Sequence, residues 1–460
     1  MTDKRRRIWG WYFFDWAQQP YATLGLTFIF APYFAGVAAA SFEAGGVEAA
    51  RAEAQSLWSS AQTVAGLVIA FSAPFLGAYA DATQRKTPWF VLFIATAVIC
   101  SAGLWVLEPD GSGLYLALAL FWIGFVASES AFNLNNAILP SLGTADEAGR
   151  ISGGATAFGY WGGVLSLFIM LLFFAENDAG RTLIGLEPAL GLDGAAREGT
   201  RFVGPFIAIW FAVFAIPFLL WVRDPAGRRP RPGAGVVVGN LKKSLRGVFA
   251  RPSFGSFLLS SMLYRDALTA LYAYGGIYAT LVLDWTVIDI GVFGIIAAIA
   301  AAILSWVGGL ADQRYGPKPV IRGTILILVA VGCVIIGMSR TSLFGIPLAP
   351  DSTLPDTIFY VCGAAIGGAG GALYSASRSM MVRHCRVDNA AEAFGLFALT
   401  GRATAFLAPA LITVFTDWTQ SNQLGFLPII FLFAAGFVLL TWVKPEGDRA
   451  EPWPDMPEPA

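Results

Sequence analysis

GAYADATQRK, residues 77–86, closes the apolar run over residues 56–80 with a glycine, a carboxylate four positions later and then two cations. On a helix Gly77 and Asp81 lie about one turn apart on the same face, and Arg85 and Lys86 mark where the chain leaves the apolar phase. The pattern returns at residues 308–318 as GGLADQRYGPK, with Gly308, Asp312, Arg314, Gly316 and Lys318 in corresponding order. Two further matches keep the same chain order. RISGGATAFGY sets Gly153 and Gly159 three and nine residues after Arg150, and EAFGLFALTGR sets Gly395 and Gly401 three and nine after Glu392. FFDWAQQPY spaces Asp15 and Tyr21 six apart, as YRDALTALY spaces Asp266 and Tyr272. Three ordered matches argue for a duplicated unit, which in many secondary transporters places the site between two halves that rock against each other.

Composition fixes the solvent. The 460 residues are 56% hydrophobic and 13% charged, with a mean hydropathy of +0.63, where a soluble domain carries about 25% charged residues. A bilayer core of roughly 30 Å takes ~20 apolar residues per helix. Apolar runs near 9–38, 56–80, 88–108, 113–138, 151–175, 202–222, 254–282, 288–311, 319–339, 356–380, 391–416 and 424–443 give twelve spans. The expected fold is an all-α polytopic membrane protein of two pseudo-symmetric six-helix bundles. Residues 1–222 form the first bundle, 223–253 a linker, 254–443 the second bundle and 444–460 a tail.

An even number of spans puts both termini on one side, and the cations choose it. Lys4 to Arg7, Arg85, Lys86, Arg150, the block from Arg223 to Arg251, Arg314, Lys318, Arg322, Arg383, Arg386, Lys444 and Arg449 share a side; Arg51, Arg181, Arg197, Arg201 and Arg340 take the other. The positive-inside rule makes both termini cytoplasmic in a cell (inner) membrane. The basic start MTDKRRRIWG is followed by Asp15 without a cleavage signature, so it reads as part of the first span. A net charge of −1 gives no reason to expect nucleic acid. Cys100, Cys333, Cys362 and Cys385 lack C-x-x-C spacing and read as packing residues, neither disulfide framework nor metal site. Within the linker, NLKKSLRGVF places Leu241, Leu245, Val248 and Phe249 opposite Lys242, Lys243 and Arg246. This suits equally a helix lying on the anionic leaflet and a solvated basic loop.

Polar residues inside the spans carry the functional expectation, because a central charge costs roughly 2.5–3.5 kcal/mol on insertion scales and usually faces the bundle interior. Asp15, Gln19, Thr23 and Thr27 recur every four residues in the first span, and Glu129, Asn133 and Asn136 share a face in the fourth. Ser261, Arg265, Thr269, Tyr272 and Gly276 form a stripe in the seventh, with Asp266 about 100° round the helix. Tyr374 aligns with Arg378 in the tenth, and Arg402 lies in the eleventh. As a transport pathway, the carboxylates would exchange protons while Arg265, Arg378 or Arg402 meets a solute carboxylate; Glu129, mid-span with no adjacent cation, is the foremost proton candidate. Against this, Asn135, Asn136 and Gln18 serve as interhelical glue, Arg265 and Asp266 neutralise each other, and Asp15 pairs with a basic residue at the rim. His384, ending the tenth span, reads as solvated.

The two loops, with Gly77, Asp81, Arg85 and Lys86 in the first and Leu310, Ala311 and Asp312 kept in the second, resemble the signature loop of the major facilitator superfamily. Ala82 and Gln84 stand where that pattern has Arg and Gly. The runs FFDWAQQPYATLGLTFIFAPYF, YWGG, LYRDALTALYAYGGIYA, GGALYSASRSMM and EAFGLFALTGRATAFLAP are similar to the branch typified by the fungal vacuolar amino-acid effluxer and its bacterial relatives. The resemblance implies a major facilitator fold, alternating access, export of a small solute such as an amino acid, and no cofactor. It also implies a gate latch at Gly77, Asp81, Arg85, Lys86, Gly308, Asp312 and Arg314. No Walker loop is present, so uphill transport would draw on an ion gradient, with protons the expected coupling ion. A monomer in the lipid bilayer is the expected state. Two other classes stay open. A polytopic enzyme acting on a lipid-linked substrate would need an acid, base or metal cluster at one face, which the loops do not offer; a transporter-like sensor would bind solute without flux.

Overall fold

The computed structural model describes residues 2–42, 46–177, 179–224, 235, 239, 242, 245–248, 250–285, 287–349, 352–421 and 423–448. The first half holds α1 (Asp3–Pro20), α2 (Phe30–Ser41), α3 (Val47–Thr83), α4 (Thr87–Gly103), α5 (Leu114–Asn136) and α6 (Ala145–Phe173), then α7 (Glu198–Arg201), α8 (Val203–Phe214) and α9 (Ile216–Trp221). The second holds α10 (Pro252–Leu283), α11 (Val287–Tyr315), α12 (Pro317–Ile336), α13 (Leu354–His384), α14 (Ala390–Ala403), α15 (Leu407–Thr419) and α16 (Leu427–Leu439). Among the described residues, 11 helical stretches are long and apolar enough to cross a membrane. The remaining expected span is α10, helical over 32 residues but diluted by Arg265, Asp266 and four tyrosines. Several residues of the proposed amphipathic helix in the linker, Leu241, Lys243 and Phe249 among them, lie outside the described residues.

Two spans are interrupted, for local reasons. Pro20 has no N–H to give the Trp16 carbonyl one turn back, and the Trp210 indole Nε1–H donates to that carbonyl at 3.1 Å instead. Immediately after it, Tyr21–Phe28 winds as a π-helix that ends at Ile29, before α2 restores the α register. The eleventh span breaks between Ala403 and Leu407, where Pro409 sits in the first turn of α15 and needs no intrahelical donor bond.

Contacts group the chain into two units. One comprises residues 1–71, 84–135 and 158–227. Its core includes Trp16 stacked between Phe158 and Trp210, ring centroids at 4.5 and 5.7 Å, and Phe14 against Phe218 at 4.9 Å. Asp224 accepts hydrogen bonds from the Lys86 and Thr87 amides, capping the start of α4.

The other unit comprises residues 72–83, 136–157 and 228–460, so the motif end of α3 and the start of α6 group with the second half. Here α13 is dense in small residues, which lets α11 approach closely: a Cβ on Gly367 would strike the Ala297 carbonyl. His384 is fully buried, stacked between Phe254 and Phe257, and shares a hydrogen bond with Ser253 Oγ at 3.0 Å. The solvated reading of this residue is therefore corrected: the start of α10 and the tail cover it. That tail folds back, with Asp448 accepting from the Phe254 amide and pairing with Arg251 at 3.7 Å, both side chains buried.

Candidate gate and polar sites

The repeated motifs meet one another within the second unit. At the end of α3, Asp81 accepts a hydrogen bond of 2.8 Å from the Glu392 amide, in the first turn of α14, where the amides have no acceptor one turn back within the helix. A Cβ on Gly77 would collide with the Ala391 carbonyl, and one on Gly395 would lie 2.6 Å from the Ala73 carbonyl oxygen. The related pair is α11 with α6. Gly153 and Gly309 face each other so closely that a Cβ on Gly153 would sit 2.6 Å from the Gly309 Cα, and one on Gly149 would strike the Asp312 carboxylate. Each motif thus abuts the helix bearing the matched x-x-G spacing, but not with the same glycine: Gly77 and Asp81 lie against Ala391–Gly395, whereas Gly309 and Asp312 lie against Gly149–Gly153 and the motif glycine Gly308 faces Ala372 on α13. Small residues at one-turn intervals are what permit such backbone contact. Arg85 and Arg314 are exposed beyond the contact.

Arg378 lies beside this contact, with no exposed surface. Its Nε donates to Ser152 Oγ at 3.1 Å, Nη1 to Asn136 Oδ1 at 3.1 Å, and Nη2 to the Ser152 carbonyl at 2.9 Å and Thr156 Oγ1 at 2.5 Å. Ser152 Oγ in turn donates to the Ser375 carbonyl at 2.8 Å. In this arrangement the guanidinium serves the end of α5 and the start of α6, the place where the sequence reading set a solute carboxylate. Arg383, one turn further on, is buried yet pairs with Asp146 at 3.2 Å and with Glu446 of the tail. In the sequence Arg383 serves only to fix topology, and no spacing signal links it to Asp146 or Glu446.

Further along α10, Arg265 donates to the Phe397 carbonyl at 2.8 Å and lies 4.3 Å from that ring's centroid. Asp266 is buried and accepts from the Ala408 amide at 3.2 Å. The two neighbours therefore hold opposite sides of the break in the eleventh span, a cation toward the C-terminal part of α14 and an anion at the N-terminus of α15, as helix dipoles favour. Tyr272 is about half exposed (47%), and Arg402 is half-buried on α14.

The first unit holds its own polar set. Asp15 is buried and accepts from Asn135 Nδ2 at 3.2 Å, while Trp11 Nε1 donates to the Asn135 carbonyl at 2.8 Å. Gln18 Nε2 donates to Ser128 Oγ at 3.1 Å and Glu129 Oε1 at 3.4 Å, and Tyr21 donates to the Phe121 carbonyl at 2.8 Å. The fourfold stripe of the first span divides accordingly. Asp15 and Gln18 turn to α5, whereas Gln19 and Thr23 cover Gly163 on α6 and Thr27 is exposed. Glu129 and Asn133 are half-buried on α5. Among the described residues, no group of three or more His, Cys, Asp or Glu is placed to hold a metal ion.

Comparison with known proteins agrees with this architecture. The chain is 22% identical over 447 residues to the uncharacterized MFS-type transporter YxiO of Bacillus subtilis, a match spanning 95% of this chain and 94% of that one. It is 24% identical over 315 residues to autophagy-related protein 22 of Cryptococcus neoformans, where the match takes in 66% of this chain but only 51% of the fungal protein. The fold superposes on the human organic anion transporter MFSD10 (TETRAN) with a TM-score of 0.67 and 14% identity, over 96% of this chain and 100% of that one. The family described as Vacuole effluxer Atg22 like matches residues 3–451. The chain is a multi-pass membrane protein of the all-α major facilitator fold and belongs to the Vacuole effluxer Atg22 like family.

Proposed function

We propose that the protein is a secondary transporter that exports a small polar solute, an amino acid being the first candidate, by alternating access coupled to protons. The observation that carries the reading is the pair of motif contacts, Asp81 with the start of α14 and Gly153 with Gly309, which together form the gate of one bilayer face. Contacts built from glycine faces and single hydrogen bonds can part and re-form, unlike an interdigitated core. The basic side on which they lie is taken as cytoplasmic, in an inner cell membrane, and the moving bodies are residues 1–222 and 254–443, joined by the linker and acting as a monomer. The effluxer description of the family and the transporter names of the relatives support export of a small solute.

Within this reading Glu129, held by Gln18, takes the coupling proton, and Arg265, Asp266 and Arg402 surround the solute beside the break in the eleventh span. The test is counterflow in proteoliposomes against a panel of amino acids and small metabolites, with and without a pH gradient. The expected result is exchange of at least one amino acid, accelerated by the gradient. Glu129→Gln should keep counterflow and lose that acceleration, by about tenfold at one unit of gradient. Absence of exchange for every compound would remove the reading.

A further inference from the structure

The two repeat-related carboxylates of the gate are not equivalent. Asp81 receives the Glu392 amide because α14 begins at Ala390, which puts Glu392 in the first turn, where its N–H has no acceptor one turn back within the helix. In the related contact α6 begins earlier, at Ala145. Gly149, which abuts Asp312, is therefore its fifth residue, and its N–H is spent on the carbonyl one turn back. Asp312 consequently lies 2% exposed with neither carboxylate oxygen in a well-formed hydrogen bond among the described residues, and the side-chain donor that bears on it is the buried Ser379 hydroxyl.

Of the surrounding charges only Arg383 favours its ionised form, and that guanidinium is already committed elsewhere. On α6, Arg150 is exposed, Glu147 accepts from the Thr144 amide and Asp146 pairs with Arg383. On α13, Arg383 divides its guanidinium between Asp146 and Glu446. On α12, Lys318 donates to the Val443 carbonyl and Arg322 lies over the Phe437 ring; on α11 itself Arg314 is exposed. An ionised carboxylate in such a place lacks water and has only the Ser379 hydroxyl to donate to it, whereas the protonated acid is neutral and can itself donate to that oxygen.

We propose that Asp312 is a proton-binding site of the gate: it carries a proton while Gly149 and Gly153 are packed on α11, and releases it to water on the basic side when that contact parts. This deepens the transporter reading and rests on it for its purpose, while its test reads the gate without any solute. The sign follows from linkage. The packed state binds one proton more, so acid stabilises it and alkali favours parting, by up to about tenfold in the equilibrium per pH unit.

The test uses Ser379→Cys in a chain whose four native cysteines are alanine, reconstituted in vesicles, with the rate of maleimide labelling followed from about pH 6 to about pH 9 and corrected for thiolate fraction. The expected result is a labelling rate that rises with pH by about tenfold or more, and that becomes independent of pH when Asp312→Asn is added. Asp81→Asn, as the control, should leave the pH dependence in place. A corrected rate already flat in the parent, or a slope unchanged by Asp312→Asn, overturns the proposal. If Asp312→Asn does not assemble, Asp312→Glu replaces it, with an altered midpoint expected and an unaltered one overturning the proposal. Counterflow by the same parent separates the cases: its absence defeats the transporter reading, while a flat labelling profile defeats only the proton site.

Discussion

Gly77→Val is expected to assemble in the membrane and to lose solute counterflow by about tenfold or more. A Cβ at position 77 lands on the Ala391 carbonyl, and backbone cannot move aside as a flexible side chain can. Overpacking of this kind costs about 1–3 kcal/mol, borne only by the arrangement in which α3 and α14 touch. That free energy shifts the gate between about fivefold and a hundredfold toward the parted state, since 1.36 kcal/mol is tenfold. The internal control is Gly66→Val on the same helix, where an added Cβ meets nothing within 4 Å and counterflow should stay near the parent. Equal losses in both variants would attribute the effect to helix propensity rather than to the contact.

The second large effect belongs to Arg378. Arg378→Ala removes the buried donor of Asn136 Oδ1, Thr156 Oγ1 and Ser152 Oγ, while the Ser152 carbonyl keeps the Thr156 hydroxyl. The expected loss is about 3 kcal/mol or more of stability, read as a lowered unfolding temperature in detergent. Arg378→Lys retains the charge, but one ammonium cannot span acceptors that the planar fork reaches together, so it should recover only part of the stability. If the alanine variant unfolds with the parent and changes only the apparent solute affinity, Arg378 is a solute ligand and the lattice is incidental.

These residues also show what a single sequence conveys. The motif pairs were legible because duplication left the same spacing twice, and the structure puts Gly77 with Ala391 and Gly153 with Gly309, partners that no single motif identifies. Hydropathy located the spans but not their interruptions. A π-helical stretch follows Pro20, and the donor that proline lacks comes from Trp210, nearly two hundred residues away. A periodic stripe assigned Asp15, Gln19, Thr23 and Thr27 to one face, but the side chains split between α5 and α6 because Asn135 and Gly163 offer different partners. For Arg378 the sequence offers a solute carboxylate as partner and shows nothing of its serine, threonine and asparagine acceptors, which lie far away in the chain. His384 looked solvated because burial by Phe254, Phe257 and the returning tail is a tertiary fact with no local signature. The two motif carboxylates show the opposite behaviour. Sequence made Asp81 and Asp312 equal, and a difference in where α14 and α6 begin made one capped and the other bare.

The central claim is that these motif contacts must part for solute to move. Next to the Gly153–Gly309 contact, Ser152 of α6 and Ser375 of α13 are joined by a 2.8 Å hydrogen bond and both are almost fully buried. The direct measurement is counterflow by a Ser152→Cys, Ser375→Cys variant in the alanine-for-cysteine background, before oxidation, after disulfide formation and after reduction. The account predicts exchange in the reduced protein, arrest on cross-linking and recovery on reduction. Undiminished exchange in fully cross-linked protein would contradict it.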